Sequence, residues 1–110
     1  MPDVKYGGGL GEAVKIAGAA EAAGISIAPH NPSGPVSTLA SVNLSASLSN
    51  FLILEFAYDE VPWRPDLSPG AERFVDGELL VPETPGLGVQ LDGHVVARYG
   101  QRQARTLDQR

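Results

Sequence analysis

The chain has no cysteine in its 110 residues, so disulfide bonds and thiolate metal sites are excluded, which is compatible with a reducing compartment. Positive charge is scarce as well. Against 13 Asp and Glu there are 8 Lys and Arg, a formal net charge of −5, and no basic stripe offers contacts to a phosphate backbone. No apolar run approaches the roughly 20 residues of a membrane span. The opening Met1-Pro-Asp-Val-Lys-Tyr6 lacks the charged-then-apolar order of a secretory signal. The expectation is a soluble, cytoplasmic protein with no nucleic-acid or membrane partner. What is present, 43% apolar and 19% charged residues, is the balance of one globular domain rather than a disordered chain.

Apolar residues Leu10, Ala13, Val14, Ala17 and Ala20 recur at helical spacing between Gly9 and Ala23, and Gly24 supplies a C-terminal stop. Ile25 to Ala28 is short and β-branched, which predicts a buried strand. Pro35 opens a second helix, where its missing N–H is harmless, and that helix is expected to run to about Ser49-Asn50. Phe51 to Leu54 is continuously apolar, as in a parallel strand buried on both faces. Strand end, helix, strand, helix, strand is the repeating unit of an α/β fold. Beyond Glu55 the texture changes. Residues 56–70 carry Pro62, Pro65 and Pro69 and read as loop. Asp76-Gly77 and Asp92-Gly93 read as hairpin turns, Glu78–Val81 and Val89–Leu91 as short strands, and His94–Tyr99 as one more. Asp3 falls where a strand should end with only two residues before it, so the chain is expected to begin at the end of an element.

The chemistry gathers at these strand ends. His30 lies in Ile25-Ser-Ile-Ala-Pro-His-Asn-Pro-Ser-Gly-Pro35, where a strand gives way to a loop, the usual place for catalytic groups in parallel α/β proteins. Asp3 and Glu55 hold matching positions at the neighbouring ends. Taken alone, His30 could be a capping or core histidine and Asp3 an exposed terminal residue. Glu55 after four apolar residues would be costly to bury unless paired or protonated. Asn31 and Ser33 could line a substrate site or serve as loop hydrogen-bonding residues. Gly7-Gly8-Gly9-Leu10-Gly11 precedes a helix as a phosphate loop would, but lacks the spacing and upstream strand of a dinucleotide fingerprint. Trp63 reads as a core or interface residue, and His94 as exposed and inert.

Four segments carry a resemblance to the mandelate racemase subgroup of the enolase superfamily. They are Pro2-Asp-Val-Lys-Tyr-Gly-Gly-Gly-Leu-Gly-Glu-Ala13, Ala28-Pro-His-Asn-Pro-Ser-Gly-Pro35, Asn50-Phe-Leu-Ile-Leu-Glu55 with Val61-Pro-Trp-Arg64, and Pro85-Gly-Leu-Gly-Val-Gln-Leu-Asp92. The Ala-Pro-His-Asn-Pro form is closest to acid-sugar dehydratases such as galactonate dehydratase. The resemblance implies the C-terminal portion of a (β/α)7β barrel. Residues 1–55 would form its last strand–helix units, and 56–99 a C-terminal segment with short strands packing at the barrel and capping-domain side. Residues 100–110 would be a frayed tail. It implies His30 as general base, Asp3 as the carboxylate orienting it, and Glu55 as the group stabilising an ene-diolate.

In such enzymes a histidine or lysine base works beside Mg²⁺, which stabilises the ene-diolate formed when the proton α to a carboxylate is removed. The three metal carboxylates of the family belong to earlier strands, so the resemblance implies no metal ligand within this chain. The expected function is that of a fragment of a Mg²⁺-dependent sugar-acid dehydratase, inactive when isolated, whose full-length relatives are typically homo-oligomeric. A racemase or epimerase of the same subgroup, and a non-catalytic remnant or interaction module, are the alternatives.

Overall fold

The structure, a computed structural model, describes residues 1–100. Helix α1 spans Leu10–Ala22 and lays Ala13 and Ala17 against the interior. It stops where its sequence says it should. Gly24 adopts φ +69°, its N–H bonds the Glu21 carbonyl, and the Ile25 N–H returns to the Ala20 carbonyl, a Schellman closure. Helix α2, Pro35–Ala46, starts at the expected proline and buries Leu39, Ala40, Val42 and Leu44. It ends three residues before Ser49, at the Ser47 cap, whose hydroxyl donates to the Leu44 carbonyl.

The two expected parallel strands, 25–28 and 51–54, shrink to a single parallel bridge between Ile27 and Phe51. The Ile27 N–H reaches the Asn50 carbonyl and the Leu52 N–H reaches the Ile27 carbonyl, both at 2.8 Å. The next rung would need an N–H from Pro29, which has none. The ladder slips there, and the Glu55 N–H, not that of Leu54, meets the Pro29 carbonyl at 3.3 Å. On the other side the His30 N–H bonds the Pro2 carbonyl at 2.9 Å, so the chain start lies along the 27–30 segment. Burial on both faces is also not found for the second run: Leu52 is 67% exposed and Ile53 63%. Asn50 ties the layer together by donating to the carbonyls of Ala17 and Ile25.

Within the expected loop a short helix α3 covers Arg64–Leu67. Asp76-Gly77 makes the expected hairpin turn, with φ +51° and +84°, between β1 (Phe74–Val75) and β2 (Glu78–Leu79). Residues 80–81 and 89–91 are not strands. The segment 94–99 is not one either. It is helix α4, Gly93–Tyr99, and Asp92 is its N-cap, accepting from the His94 and Val95 amides. Tertiary contacts select the helix: the Asp92 N–H bonds the Leu67 carbonyl, and Tyr99 stacks on Trp63 at 4.7 Å. Trp63 is thus an internal packing residue, while His94 is exposed as expected. Apart from Gly100, the expected tail lies outside the described residues. No helix among those described is long and apolar enough to cross a membrane.

Candidate active site

Asp3 is fixed by its own turn. Its Oδ1 accepts the Lys5 and Tyr6 amides at 2.7 and 2.9 Å, and its carbonyl accepts the Gly7 N–H at 2.7 Å. A Cβ at Gly7 would lie 2.5 Å from that carbonyl oxygen, so only glycine fits. The glycine run is therefore a tight connection into α1, with two of its amides spent inside the turn. Asp3 Oδ2 is left facing His30, whose Nδ1 is 2.8 Å away. Only 11% of the Asp3 side chain is exposed, against 42% for His30. Burial alone would raise the Asp3 carboxyl, but hydrogen bonds from His30 and the Tyr6 and Lys5 amides outweigh it and hold the pKa below the usual carboxylate range.

An ionised carboxylate only accepts, so the His30 proton at this contact sits on Nδ1. In the neutral ring the lone pair is then on Nε2, which lies 3.7 Å from Glu55 Oε2. The same oxygen accepts the Asn31 N–H at 3.1 Å. Asp3, His30 and Glu55, expected at three successive segment ends, are thus brought together in one row. Asn31 and Ser33 lie deeper. Asn31 is wholly buried and its side-chain amide donates to the Thr38 hydroxyl and the Glu55 carbonyl. Ser33 is also buried, and its carbonyl accepts from Thr38 and Arg64.

Arg64 is the residue whose place near the site the sequence reading left out. Its guanidinium is almost fully buried and forks onto Glu72 at 2.8 and 2.9 Å. The available signal was weak: Glu60 stands four residues before it at pairing distance along a helix, but nothing in the sequence marks Glu72 as the main partner.

The described residues do not make a magnesium site. Among the described residues no three His, Asp or Glu side chains converge as metal ligands, and both Asp3 oxygens are already engaged by hydrogen-bond donors.

Residues 1–95 match the model of the enolase C-terminal domain-like family. The chain belongs to that family. This enolase-family chain is 38% identical over 91 residues to the D-xylonate dehydratase of Haloferax volcanii, a match covering 83% of this chain and 22% of that protein. It is 34% identical over 107 residues to the D-galactonate dehydratase of Xanthomonas axonopodis pv. citri, covering 92% of this chain and 28% of the relative. A solved structure from Burkholderia xenovorans LB400, provisionally named an L-alanine-DL-glutamate epimerase and bound to magnesium and fumarate, superposes with a TM-score of 0.77 at 32% identity. That match covers 82% of this chain and 22% of the other. The enolase-family chain therefore spans between 20% and 28% of the length of the curated relatives it matches. These relatives are sugar-acid dehydratases and mandelate racemase-like enzymes of the enolase superfamily, whose full-length members carry the (β/α)7β barrel.

Proposed function

We propose that this chain contributes the base side of a site that removes the proton α to the carboxylate of a sugar acid, leading to loss of the β-hydroxyl as water. One observation carries the reading: the Asp3–His30 contact at 2.8 Å, which leaves the Nε2 lone pair free beside Glu55. A proton α to a carboxylate is weakly acidic and needs both a base and stabilisation of the developing charge. His30 Nε2 takes the proton, and Asp3 holds the ring and offsets the charge of the imidazolium. The C–H electron pair moves toward the carboxyl carbon, giving an ene-diolate, and Glu55 in its protonated form donates a hydrogen bond to one oxygen. Collapse of the ene-diolate expels the β-hydroxyl, which leaves as water with a proton from a general acid that the rest of the full-length site would supply. The resulting enol becomes a 2-keto-3-deoxy acid. No step is assigned to a metal ion, because the described residues do not converge on one.

The test is a chimera in which this chain replaces the matching segment of the Haloferax D-xylonate dehydratase. Exchange of the substrate α-proton with D₂O is expected, and His30→Ala is expected to slow it by about 10²–10⁴-fold. Equal exchange in both proteins would remove His30 as the base. Product analysis separates the second reading, favoured by the epimerase-like structural relative: inversion at the α-carbon without loss of water means a racemase or epimerase.

A further inference from the structure

The row of site residues rests on a buried polar relay that the reaction itself does not use. Arg64 Nη2 lies 3.1 Å from the Thr38 hydroxyl, and Asn31 Nδ2 lies 2.9 Å from the same oxygen. Thr38 in turn donates to the Ser33 carbonyl at 3.4 Å, which also accepts Arg64 Nη2 at 2.9 Å. The hydroxyl is saturated, with two donors on its lone pairs and its proton given away. From Asn31 the relay reaches Glu55 twice. The side-chain amide donates to the Glu55 carbonyl at 3.2 Å, and the backbone N–H donates to Oε2 at 3.1 Å. Asn31 and Thr38 are both wholly buried. The other end is anchored by the Arg64–Glu72 fork, 31 or more residues further along the chain than Ser33.

We propose that Arg64 is a positioning residue: through Thr38 and Asn31 it holds the Glu55 side chain beside His30 Nε2. Two distant parts of the chain are thereby coupled, the 60–72 segment and the loop after His30. A lysine cannot replace it, because a single ammonium lacks the planar fork that reaches Glu72, Ser33 and Thr38 together. The catalytic meaning of this placement rests on the proposed function, whereas the placement itself does not.

The test reads the hydrogen bond from Asn31 to Glu55 by NMR on the 110-residue chain. Glu55→Gln is expected to displace the Asn31 amide proton resonance, because the oxygen it bonds changes from a carboxyl to a carboxamide oxygen. In a Thr38→Val background that displacement should fall by more than half, and Thr38→Ser should restore it. Arg64→Lys should act like Thr38→Val. Since Arg64→Lys disturbs a buried ion pair and can unfold the chain, Thr38→Val carries the decision. A displacement of equal size in every folded background, or none in the unmodified chain, overturns the relay. In the chimera, Thr38→Val should lower kcat more than it raises KM, a split that general loosening of the fold would not give. If the chimera shows no α-proton exchange while the NMR cycle behaves as expected, the proposed reaction falls and the positioning stands. If exchange is present but Thr38→Val leaves both the resonance cycle and kcat untouched, the positioning falls alone.

Discussion

Asp3 and His30, 27 residues apart, are joined side chain to side chain at 2.8 Å, and the main chains beside them are joined as well, His30 N–H to Pro2 carbonyl at 2.9 Å. The double link makes the start of the chain part of the site rather than a loose end. It also means that the ionisation of one carboxyl is tied to folding.

Asp3→Asn tests that tie. Folding lowers the Asp3 pKa, so in acid the unfolded chain binds more protons than the folded one. The stabilisation is complete above the unfolded carboxyl value near 3.8 and is lost as pH falls through the lower folded value. Urea midpoints measured from about pH 5 downward should therefore fall more steeply for the unmodified chain than for Asp3→Asn. Parallel acid limbs would show that Asp3 is not coupled to folding.

Gly7→Ala should open the turn that aims Asp3. The added methyl would sit 2.5 Å from the Asp3 carbonyl oxygen, which is backbone and cannot step aside cheaply. The hydrogen-bonded Nδ1 proton of His30 is expected far downfield by NMR in the unmodified chain, and in the variant it should broaden or vanish. Its persistence unchanged would show that the turn is not what holds Asp3.

Removing one partner of the Arg64–Glu72 pair should cost far more than removing both. Their side chains are 7% and 10% exposed, so Glu72→Leu alone strands a buried guanidinium. The expected loss is about 3–5 kcal/mol by urea unfolding. The double variant Arg64→Met, Glu72→Leu should recover much of it. Additive losses would mean that the two charges do not interact.

Asp92→Ala removes the side chain that accepts the His94 and Val95 amides at the start of α4. A loss of about 0.5–2 kcal/mol is expected, with reduced helical circular dichroism. No change in either would place the stability of α4 in its contacts with α3 instead.

The parts legible in the sequence were those governed by local chemistry. Gly24 ends α1 because a left-handed residue is needed there, Pro35 begins α2, and Asp76-Gly77 turns a hairpin. Asp92 was misread because an aspartate before glycine suits both a turn and a helix cap. The decision between them comes from Leu67 and Trp63, far away in the chain, against the β-branched bias of Val95 and Val96. Asp3, His30 and Glu55 could be singled out as a set, since each ends a segment. The depth of Asn31 and the partner of Arg64 could not, because burial is a property of the assembled chain and no spacing encodes it.

The slip at Pro29 has a consequence for which side chain meets the imidazole. In an unbroken parallel register, with Ile27 opposite Phe51, His30 would stand across from Leu54. With the Glu55 amide bonded to the Pro29 carbonyl, it stands across from Glu55. One imino acid thus shifts the phase of the neighbouring segment by a single residue and exchanges a hydrocarbon for an acid at the point where a proton would be handled.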